Sequence, residues 1–201
     1  MRLEPLNLAA YAERTVPIDV VIGRERTQRS QVVKQADVVA LMALLPEEFP
    51  GGTAERNFRH YEPRCAHGSS LSAGMHALVA ARLGDAEMAL RYLRETAATD
   101  LDLDPNNAGS VRIAGLGALW QAVVRGFGGL DLRGDTPGIN PRLPPQWRSL
   151  SFRVCWRGRT VAIHIAGRTV EATLLEGEPM EMRVGAATRK LTAGVTQQVS
   201  L

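Results

Sequence analysis

A short polar segment with sugar-binding chemistry interrupts the first apolar stretch of the chain. Lys34 and Gln35 follow two valines and precede Asp37. An ammonium and a side-chain amide donate hydrogen bonds that suit sugar hydroxyls or a phosphate. The same residues also suit a solvent-exposed helix on which Lys34 and Asp37 form an ion pair three residues apart. Periodicity alone favours the ion pair, and the segment by itself leaves both interpretations open.

A histidine and two serines stand directly ahead of the next apolar stretch, as His67-Gly68-Ser69-Ser70. Hydroxyls at the start of a helix lie beside free backbone N–H groups and the positive end of the helix dipole, so they can bind an anion. Gly68 lets the backbone come close to such a ligand. The alternative is that Ser69 or Ser70 caps the helix without a ligand, and the local pattern alone favours capping.

Arg112 is the third candidate and lies in the segment 109–114, at the start of another predicted helix. A guanidinium in that place can hold a phosphate or a sugar through two parallel hydrogen bonds. A surface arginine near a helix start is the alternative. Without further context the alternative is favoured.

The composition excludes several classes of protein. With 201 residues, of which 45% are hydrophobic and 22% charged, the chain can fold around a core. A net charge of +3 and 5% aromatic residues are too little for a nucleic-acid-binding surface with stacking platforms. His60 and His76 lack partners at metal-ligand spacing, and no nucleotide loop or nucleophile elbow occurs, so no metal and no cofactor are expected.

The chain is expected to be a soluble cytoplasmic protein. Its two cysteines, Cys65 and Cys155, are far apart and form no disulfide framework. The N-terminal residues lack the basic and apolar regions of a signal peptide. No apolar run approaches the ~18 residues that span a bilayer. Neither a membrane nor a nucleic acid is therefore expected among its partners.

Helices are needed to position these candidate residues. Apolar residues recur at roughly helical spacing in four segments, which predicts helices over residues 31–45, 69–83, 86–97 and 110–124. Gly84-Asp85 ends one helix and caps the next, which predicts a tight helical hairpin. The last helix contains Gly115 and Gly117, each costing roughly 1 kcal/mol relative to alanine. We therefore expect another helix or a ligand to approach closely there.

The character of the chain changes after residue 126. Glycine and proline dominate residues 126–145, which indicates a boundary rather than an element. Residues 150–156 then alternate between apolar and other side chains, and several short segments separated by glycines follow, as in a small β-sheet protein. The sequence predicts a multidomain protein, helical and then β. Its parts are a helical domain over 1–130, a linker over 131–147 and a small antiparallel β-sandwich over 148–201.

Four stretches, in this order, resemble glycoside hydrolase family 65: GRERTQRSQVVKQADVVAL, HYEPRCAHGSSLSAGMHALVAARLGD, GALWQAVVRGFGGL and LPPQWRSLSFRVCWRGRTVAIHI. This family contains maltose, trehalose and kojibiose phosphorylases, with some hydrolases. The resemblance covers almost the whole chain. It implies that the helices are the last part of an α/α six-hairpin barrel, and that the segment from Leu143 onward is the family's C-terminal β-sandwich.

The resemblance also implies a chemistry. In these enzymes inorganic phosphate cleaves an α-glucosidic disaccharide with inversion, one glutamate acts as general acid, and no metal is needed. By resemblance, Lys34 and Gln35 bind the sugar at the cleavage point. Ser69 and Ser70 hold the phosphate, with His67 beside them.

Two residues depart from the family pattern. Gly68 stands where the phosphorylases usually have an aspartate, and Arg112 stands where they usually have a histidine that contacts phosphate. Because an arginine binds phosphate at least as well, a phosphate role for Arg112 is still expected. Hydrolysis stays open, and it would need a carboxylate base opposite the general acid. Glu62, close in sequence to the two serines, is the carboxylate to test.

The family's catalytic glutamate belongs to a barrel segment ahead of Met1, so the resemblance implies that this chain is the C-terminal portion of such an enzyme and is inactive alone. Its expected partners are an α-linked glucose disaccharide, inorganic phosphate and the upstream part of the same enzyme, and the complete enzyme can be a homodimer. The alternative is a non-catalytic carbohydrate-binding or structural module with the β domain as a scaffold.

Overall fold

The structure is a computed structural model that describes residues 3–13, 18–101 and 113–201, except the side chains of residues 70 and 99–101. Within these ranges the α-helices are α1 (Ile18–Ile22), α2 (Arg24–Arg29), α3 (Asp37–Leu44), α4 (Thr53–Tyr61), α5 (Ser70–Leu83), α6 (Ala86–Leu101) and α7 (Ile113–Gln121). Short 3₁₀ helices occupy Leu8–Tyr11, Pro46–Glu48 and Glu62–Arg64. None of the helices in these ranges combines the length and apolar character of a membrane span.

The predicted helical hairpin is confirmed. α5 and α6 correspond to the helices predicted over 69–83 and 86–97, although α6 continues to Leu101. Gly84 between them has a φ of +87°, the left-handed conformation that glycine adopts without steric cost. Its N–H donates to the carbonyl of Ala81, and that of Asp85 donates to the carbonyl of Ala80. These hydrogen bonds satisfy the last carbonyls of α5 and end the helix.

The first predicted helix is wrong over its first six residues. α3 begins only at Asp37, and residues 31–36 are not helical. Val33 forms a parallel bridge with Cys65 instead, so its backbone hydrogen bonds go to a neighbouring segment. The apolar spacing over 31–36 is compatible with a helix. Such a local pattern does not reveal that a distant segment binds the same N–H and C=O groups.

α5 is a buried helix. Residues 72–81 are all buried, and several of them are alanine or glycine. A Cβ on Gly74 would lie 2.5 Å from the Cβ of Ala118, so α5 and α7 touch at this position. Gly117 has open space around its Cα, which makes the expected close approach at that glycine wrong. The small residue that the helix contact needs lies on α5 rather than at Gly117.

α7 ends differently from its prediction. It runs from Ile113 to Gln121 and continues as a π-helical turn over Ala122–Phe127. The predicted start, over residues 110–112, lies outside the described residues. The last three residues of the predicted helix, 122–124, are therefore helical, but they belong to a π-helix instead of an α-helix.

Two four-stranded sheets make up the last third of the chain. Their strands are β1 (Leu130–Asp131), β2 (Gly138–Ile139), β3 (Ser149–Trp156), β4 (Arg159–Ala166), β5 (Thr169–Glu176), β6 (Met180–Val184), β7 (Ala187–Leu191) and β8 (Thr196–Ser200). The strand orders are β1-β2-β6-β7 and β3-β4-β5-β8. Every pairing is antiparallel except β2 with β6, which is parallel. β1 and β2 lie in the segment for which glycine and proline predicted a boundary and no element.

Alternation along the strands builds the β core. In β4 and β6 every second side chain is buried, so one face of each strand is apolar. The buried residues of both sheets form a single hydrophobic core, which includes Leu130, Ile139, Val154, Val161, Ile163, Ile165, Val170, Leu174, Met180, Met182, Val184, Leu191 and Val199. A shared core between two sheets is the arrangement of a β-sandwich.

The described residues group into two compact units. One unit contains the residues up to Val79 together with Met88–Leu119, and the other contains Ala80–Glu87 together with Trp120–Leu201. The candidate residues Lys34, Gln35, His67 and Ser69 belong to the first unit.

The contact at Gly74 leads to a paired prediction. Gly74→Ala should lower the free energy of unfolding by about 1–3 kcal/mol, because the added methyl group overpacks the contact with Ala118. Gly117→Ala should raise it by up to about 1 kcal/mol, because the methyl group has room and alanine favours the helix. Urea unfolding of both variants checks this. Equal effects of the two changes would contradict the contact.

Candidate functional site

Two segments that are distant in sequence run side by side in the first unit. The N–H of Val33 donates to the carbonyl of Arg64 over 3.0 Å, and the N–H of Ala66 donates to the carbonyl of Val33 over 2.8 Å. The N–H of Gly68 donates to the carbonyl of Lys34, also over 2.8 Å. These three backbone hydrogen bonds bring the Lys34 segment against the turn that precedes α5.

Pro63 precedes the second of these two segments. It lies in the 3₁₀ helix Glu62–Arg64 that follows α4, and Cys65 after it has an extended backbone. Its neighbours Arg64 and Ala66 thereby turn a carbonyl and an N–H toward Val33, whereas the N–H of Cys65 itself donates to the carbonyl of Glu62. Arg64 adds a side-chain contact, because its Nε donates to Oε1 of Gln31 over 3.2 Å.

Lys34 lies over Gly68. A Cβ on Gly68 would come within 3.1 Å of both the Cγ and the carbonyl oxygen of Lys34. Glycine thus allows the Lys34 side chain to cross the turn closely. Lys34 as a whole is exposed to solvent.

Gln35 is also exposed, but it has a local partner. Its Nε2 donates to Oδ1 of Asp37 over 3.2 Å. Because α3 begins at Asp37, Lys34 and Asp37 do not share a helix face. The helical ion pair considered from the sequence therefore does not form in this backbone, and Asp37 binds Gln35 instead.

His67 occupies an unusual backbone conformation. Its φ is +52°, a value that non-glycine residues rarely adopt. The ring is half-buried, and its Nδ1 lies 3.1 Å from Oγ of Ser72. The ring also packs against His76 and Tyr92, with centroid distances of 4.7 Å and 5.1 Å. Such a conformation persists only where the surroundings hold it, and it concentrates at functional sites.

The turn then enters α5 at two serines. Ser69 is half-buried, and Ser70 is the first residue of the helix, which is 14 residues long. The N–H groups of the first turn of a helix lack intrahelical partners, and the helix dipole adds positive potential there. This end of α5 can bind an anion, and Lys34 on the paired segment adds a positive charge nearby.

Glu62 is fixed by two donors. The hydroxyl of Tyr92 donates to its Oε1 over 2.7 Å, and Arg91 approaches the same oxygen to 3.0 Å. Burial raises the pKa of Tyr92 above its usual value, and the hydrogen bond to Glu62 raises it further. The carboxylate therefore anchors α6 to the segment before the turn, and both donors bind the same oxygen, Oε1.

The structure brings together most of the residues proposed from the sequence that it describes. Lys34 and the turn containing His67 and Ser69 are joined by backbone hydrogen bonds, whereas the amide of Gln35 is turned to Asp37. The side chain of Ser70 and the whole of Arg112 lie outside the described residues.

Sequence reasoning missed a buried cluster behind the turn. Cys65, His67 and His76 each offer a ligand atom, and these atoms all lie within 4.8 Å of one another. Ser72 links them, because its Oγ lies 3.3 Å from Sγ of Cys65 and its carbonyl accepts from Nδ1 of His76 over 2.9 Å. Burial lowers the pKa of His76 and raises that of Cys65. The one available signal was the four-residue spacing of Ser72 and His76 on a single helix face.

The Tyr92–Glu62 hydrogen bond should contribute more to the free energy of unfolding than the ion pair between Arg91 and Glu62. Tyr92→Phe should lower the free energy of unfolding by about 1.5–3 kcal/mol, because it removes a hydrogen bond to a largely buried carboxylate. Arg91→Ala should cost no more than about 1 kcal/mol, because the arginine side chain is 60% exposed. Urea unfolding of both variants measures the difference, and the reverse order would contradict this ranking.

Family models match most of the chain. The model described as "Glycosyl hydrolase family 65 central catalytic domain" matches residues 1–121, and that described as "Glycosyl hydrolase family 65, C-terminal domain" matches residues 130–187.

Curated proteins and a solved structure are similar to the chain. A kojibiose phosphorylase from Halothermothrix orenii is 38% identical over 179 residues, which cover 89% of this chain and 23% of that protein. An α,α-trehalose phosphorylase from Thermoanaerobacter brockii is 37% identical over 155 residues, which cover 77% of this chain and 20% of that protein. A solved structure assigned as a kojibiose phosphorylase from the human microbiome has a TM-score of 0.86 at 23% identity. That match covers 99% of this chain and 29% of the other, so the two share a fold.

The chain spans about a quarter of the length of the curated relatives it matches. The first family model alone covers more than half of the 201 residues. The chain therefore belongs to glycosyl hydrolase family 65.

Proposed function

We propose that the complete protein containing this chain is a phosphorylase that cleaves an α-glucosidic disaccharide with inversion, using inorganic phosphate as co-substrate. The relatives named above are phosphorylases of two different disaccharides, which supports the reaction type and leaves the linkage open. The pairing of the Lys34 segment with the turn before α5 carries the proposal, because it gives sugar-binding and anion-binding groups a shared location.

The phosphate is proposed to bind at the start of α5. Backbone N–H groups and the hydroxyls of Ser69 and Ser70 would donate to its oxygens, and the helix dipole would favour its negative charge. His67 would present its ring beside the anion, held by the left-handed backbone and by Ser72. Arg112 is proposed as a further phosphate ligand on the strength of its charge and its place in the family pattern.

Lys34 and Gln35 are proposed to bind the sugar at the cleavage point. Lys34 supplies charged hydrogen bonds to hydroxyls and crosses the turn at Gly68. Gln35 would have to exchange its hydrogen bond with Asp37 for one with the sugar, which costs little because both groups are exposed.

The reaction needs one group that these residues do not supply. A phosphate oxygen attacks the anomeric carbon, the glycosidic C–O bond breaks, and a general acid gives its proton to the leaving oxygen. The products are glucose 1-phosphate and the released sugar. We propose that this acid is a glutamate in another part of the catalytic domain. Because phosphate is the nucleophile, the step requires no resident metal or cofactor.

We also propose a fold, domain boundaries and a cellular location for the complete protein. The helices would form part of an α/α six-hairpin barrel, and the domain boundaries would be 1–130, 131–147 and 148–201. The complete protein would work in the cytoplasm, as a homodimer in the family pattern.

The test of this function is the dependence of cleavage on phosphate. The complete protein should break down at least one α-glucobiose only when phosphate is present, and glucose 1-phosphate should appear in equal amount to the released sugar. The 201-residue chain alone should show no turnover, because the general acid contributes roughly 10²–10⁴-fold and the cleft is incomplete. Sugar release at the same rate without phosphate would contradict phosphorolysis.

The assigned roles can be separated by substitution. Lys34→Ala should raise the KM for the disaccharide roughly tenfold or more, and Ser69→Ala with Ser70→Ala should do the same to the KM for phosphate, because each removes hydrogen bonds to one substrate. Lys190→Ala is the matched control, since Lys190 is the other lysine of the sequence and is exposed on β7. Equal losses for both substrates in each variant would contradict the division of roles.

A further inference from the structure

A cysteine and two histidines converge behind the turn that precedes α5. Cys65 and His67 are separated by one residue in the segment that precedes α5, and His76 lies in α5. One ligand atom of each lies within 4.8 Å of the other two. Cys65 is 5% exposed and His76 is fully buried. Sulfur and imidazole nitrogen are the donors that Zn²⁺ prefers in proteins.

An unpartnered buried atom points to a ligand at this place. Nε2 of His76 is buried and has no hydrogen-bond partner among the described residues. Buried polar atoms without a partner are rare in folded proteins, and an unseen ion is one of the accepted explanations. We propose that Cys65, His67 and His76 bind one divalent transition-metal ion, with Zn²⁺ as the best fit to this donor set.

The neighbours of His76 prepare it to be a ligand. Its Nδ1 lies 2.9 Å from the carbonyl oxygen of Ser72. A carbonyl only accepts, so Nδ1 carries the proton and Nε2 carries the free electron pair. Metal-binding histidines almost always give their other N–H to such an acceptor, which fixes the ring and its tautomer.

The other two donors need only a small movement. Zn–S bonds of about 2.3 Å and Zn–N bonds of about 2.0–2.1 Å bring donors closer together than 4.8 Å, so the side chains would move inward by about 1 Å. Sγ of Cys65 and Nδ1 of His67 are 3.9 Å apart, and Oγ of Ser72 contacts both, at 3.3 Å and 3.1 Å. On binding, the Cys65 thiol loses its proton to solvent. The thiolate and the two neutral imidazoles then supply three ligands, and a water molecule takes the fourth position.

This site does not depend on the proposed phosphorolysis. Cys65 and His76 have no part in the proposed phosphate site, and His67 is the one residue that the two proposed sites share. A metal ion there would fix the left-handed backbone of His67. It would also hold the segment containing Cys65 and His67 against α5. That role is structural, so it is tested by metal binding and not by activity.

The experiment is a Co²⁺ titration of the reduced, metal-free protein, followed by displacement with Zn²⁺. One equivalent should produce a thiolate-to-cobalt charge-transfer band in the near ultraviolet and the visible bands of four-coordinate Co²⁺. Cys65→Ser should abolish the charge-transfer band. Cys155→Ser is the matched control and should leave it unchanged, because Cys155 is the exposed free cysteine of β3.

His67→Asn provides an independent variant. Asparagine tolerates a positive φ, so the turn should keep its shape while the affinity for Co²⁺ falls at least about tenfold. Far-ultraviolet circular dichroism checks that each variant is folded, and if Cys65→Ser unfolds, His67→Asn and Cys155→Ser decide the question. A folded wild-type protein without the charge-transfer band, or a band that disappears only in Cys155→Ser, would overturn the proposal.

Discussion

The backbone pairing between residues 33–34 and 64–68 is the interaction on which the candidate site depends. Three N–H···O=C hydrogen bonds join these segments. Without them Lys34 would have no fixed relation to the turn before α5, since about thirty residues of chain separate the two. The pairing also explains why this part of the chain gives up helix. A backbone group that serves a neighbouring segment cannot also serve its own helix.

A second set of contacts supports the pairing from behind. Ser72, His76 and Tyr92 surround His67, and Tyr92 is tied to Glu62 at the start of the paired segment. These groups are buried and polar, so their hydrogen bonds are stronger than in water and their loss is more costly. The turn is therefore held by its backbone on one side and by a polar cluster on the other. This double support accounts for the positive φ of His67.

The sequence predicted the regular parts of this fold well. The α5–α6 hairpin followed from helical spacing and from Gly84-Asp85, and the strands followed from alternation and regularly placed glycines. Both signals are local, because they depend on residues within a few positions of each other. β1 and β2 were not predicted, since two-residue strands carry too little pattern to stand out among glycines and prolines.

The candidate site was only partly predictable, for a related reason. The residue types at Lys34, Ser69 and Ser70 indicated binding chemistry, and the family resemblance assigned them roles. That Lys34 crosses Gly68 and that Cys65 meets His76 depends on contacts between segments distant in sequence. Gln35 binds Asp37 because α3 begins only at Asp37, which the apolar spacing did not predict. A helical interpretation of residues 31–36 even suggested a Lys34–Asp37 pair that the backbone does not permit.

Membership of family 65 supports the proposed roles of the paired segments in sugar and phosphate binding. The chain covers about a quarter of the length of these relatives. We expect one location in the complete protein to hold both the sugar and the anion. Crystals of the complete protein with glucose and phosphate bound test it most directly. We predict phosphate within hydrogen-bond distance of the backbone N–H groups at Ser69 and Ser70, and a glucose hydroxyl bound to Nζ of Lys34, with the two ligands in contact. Phosphate bound at another part of the protein, or glucose out of reach of Lys34, would contradict the account.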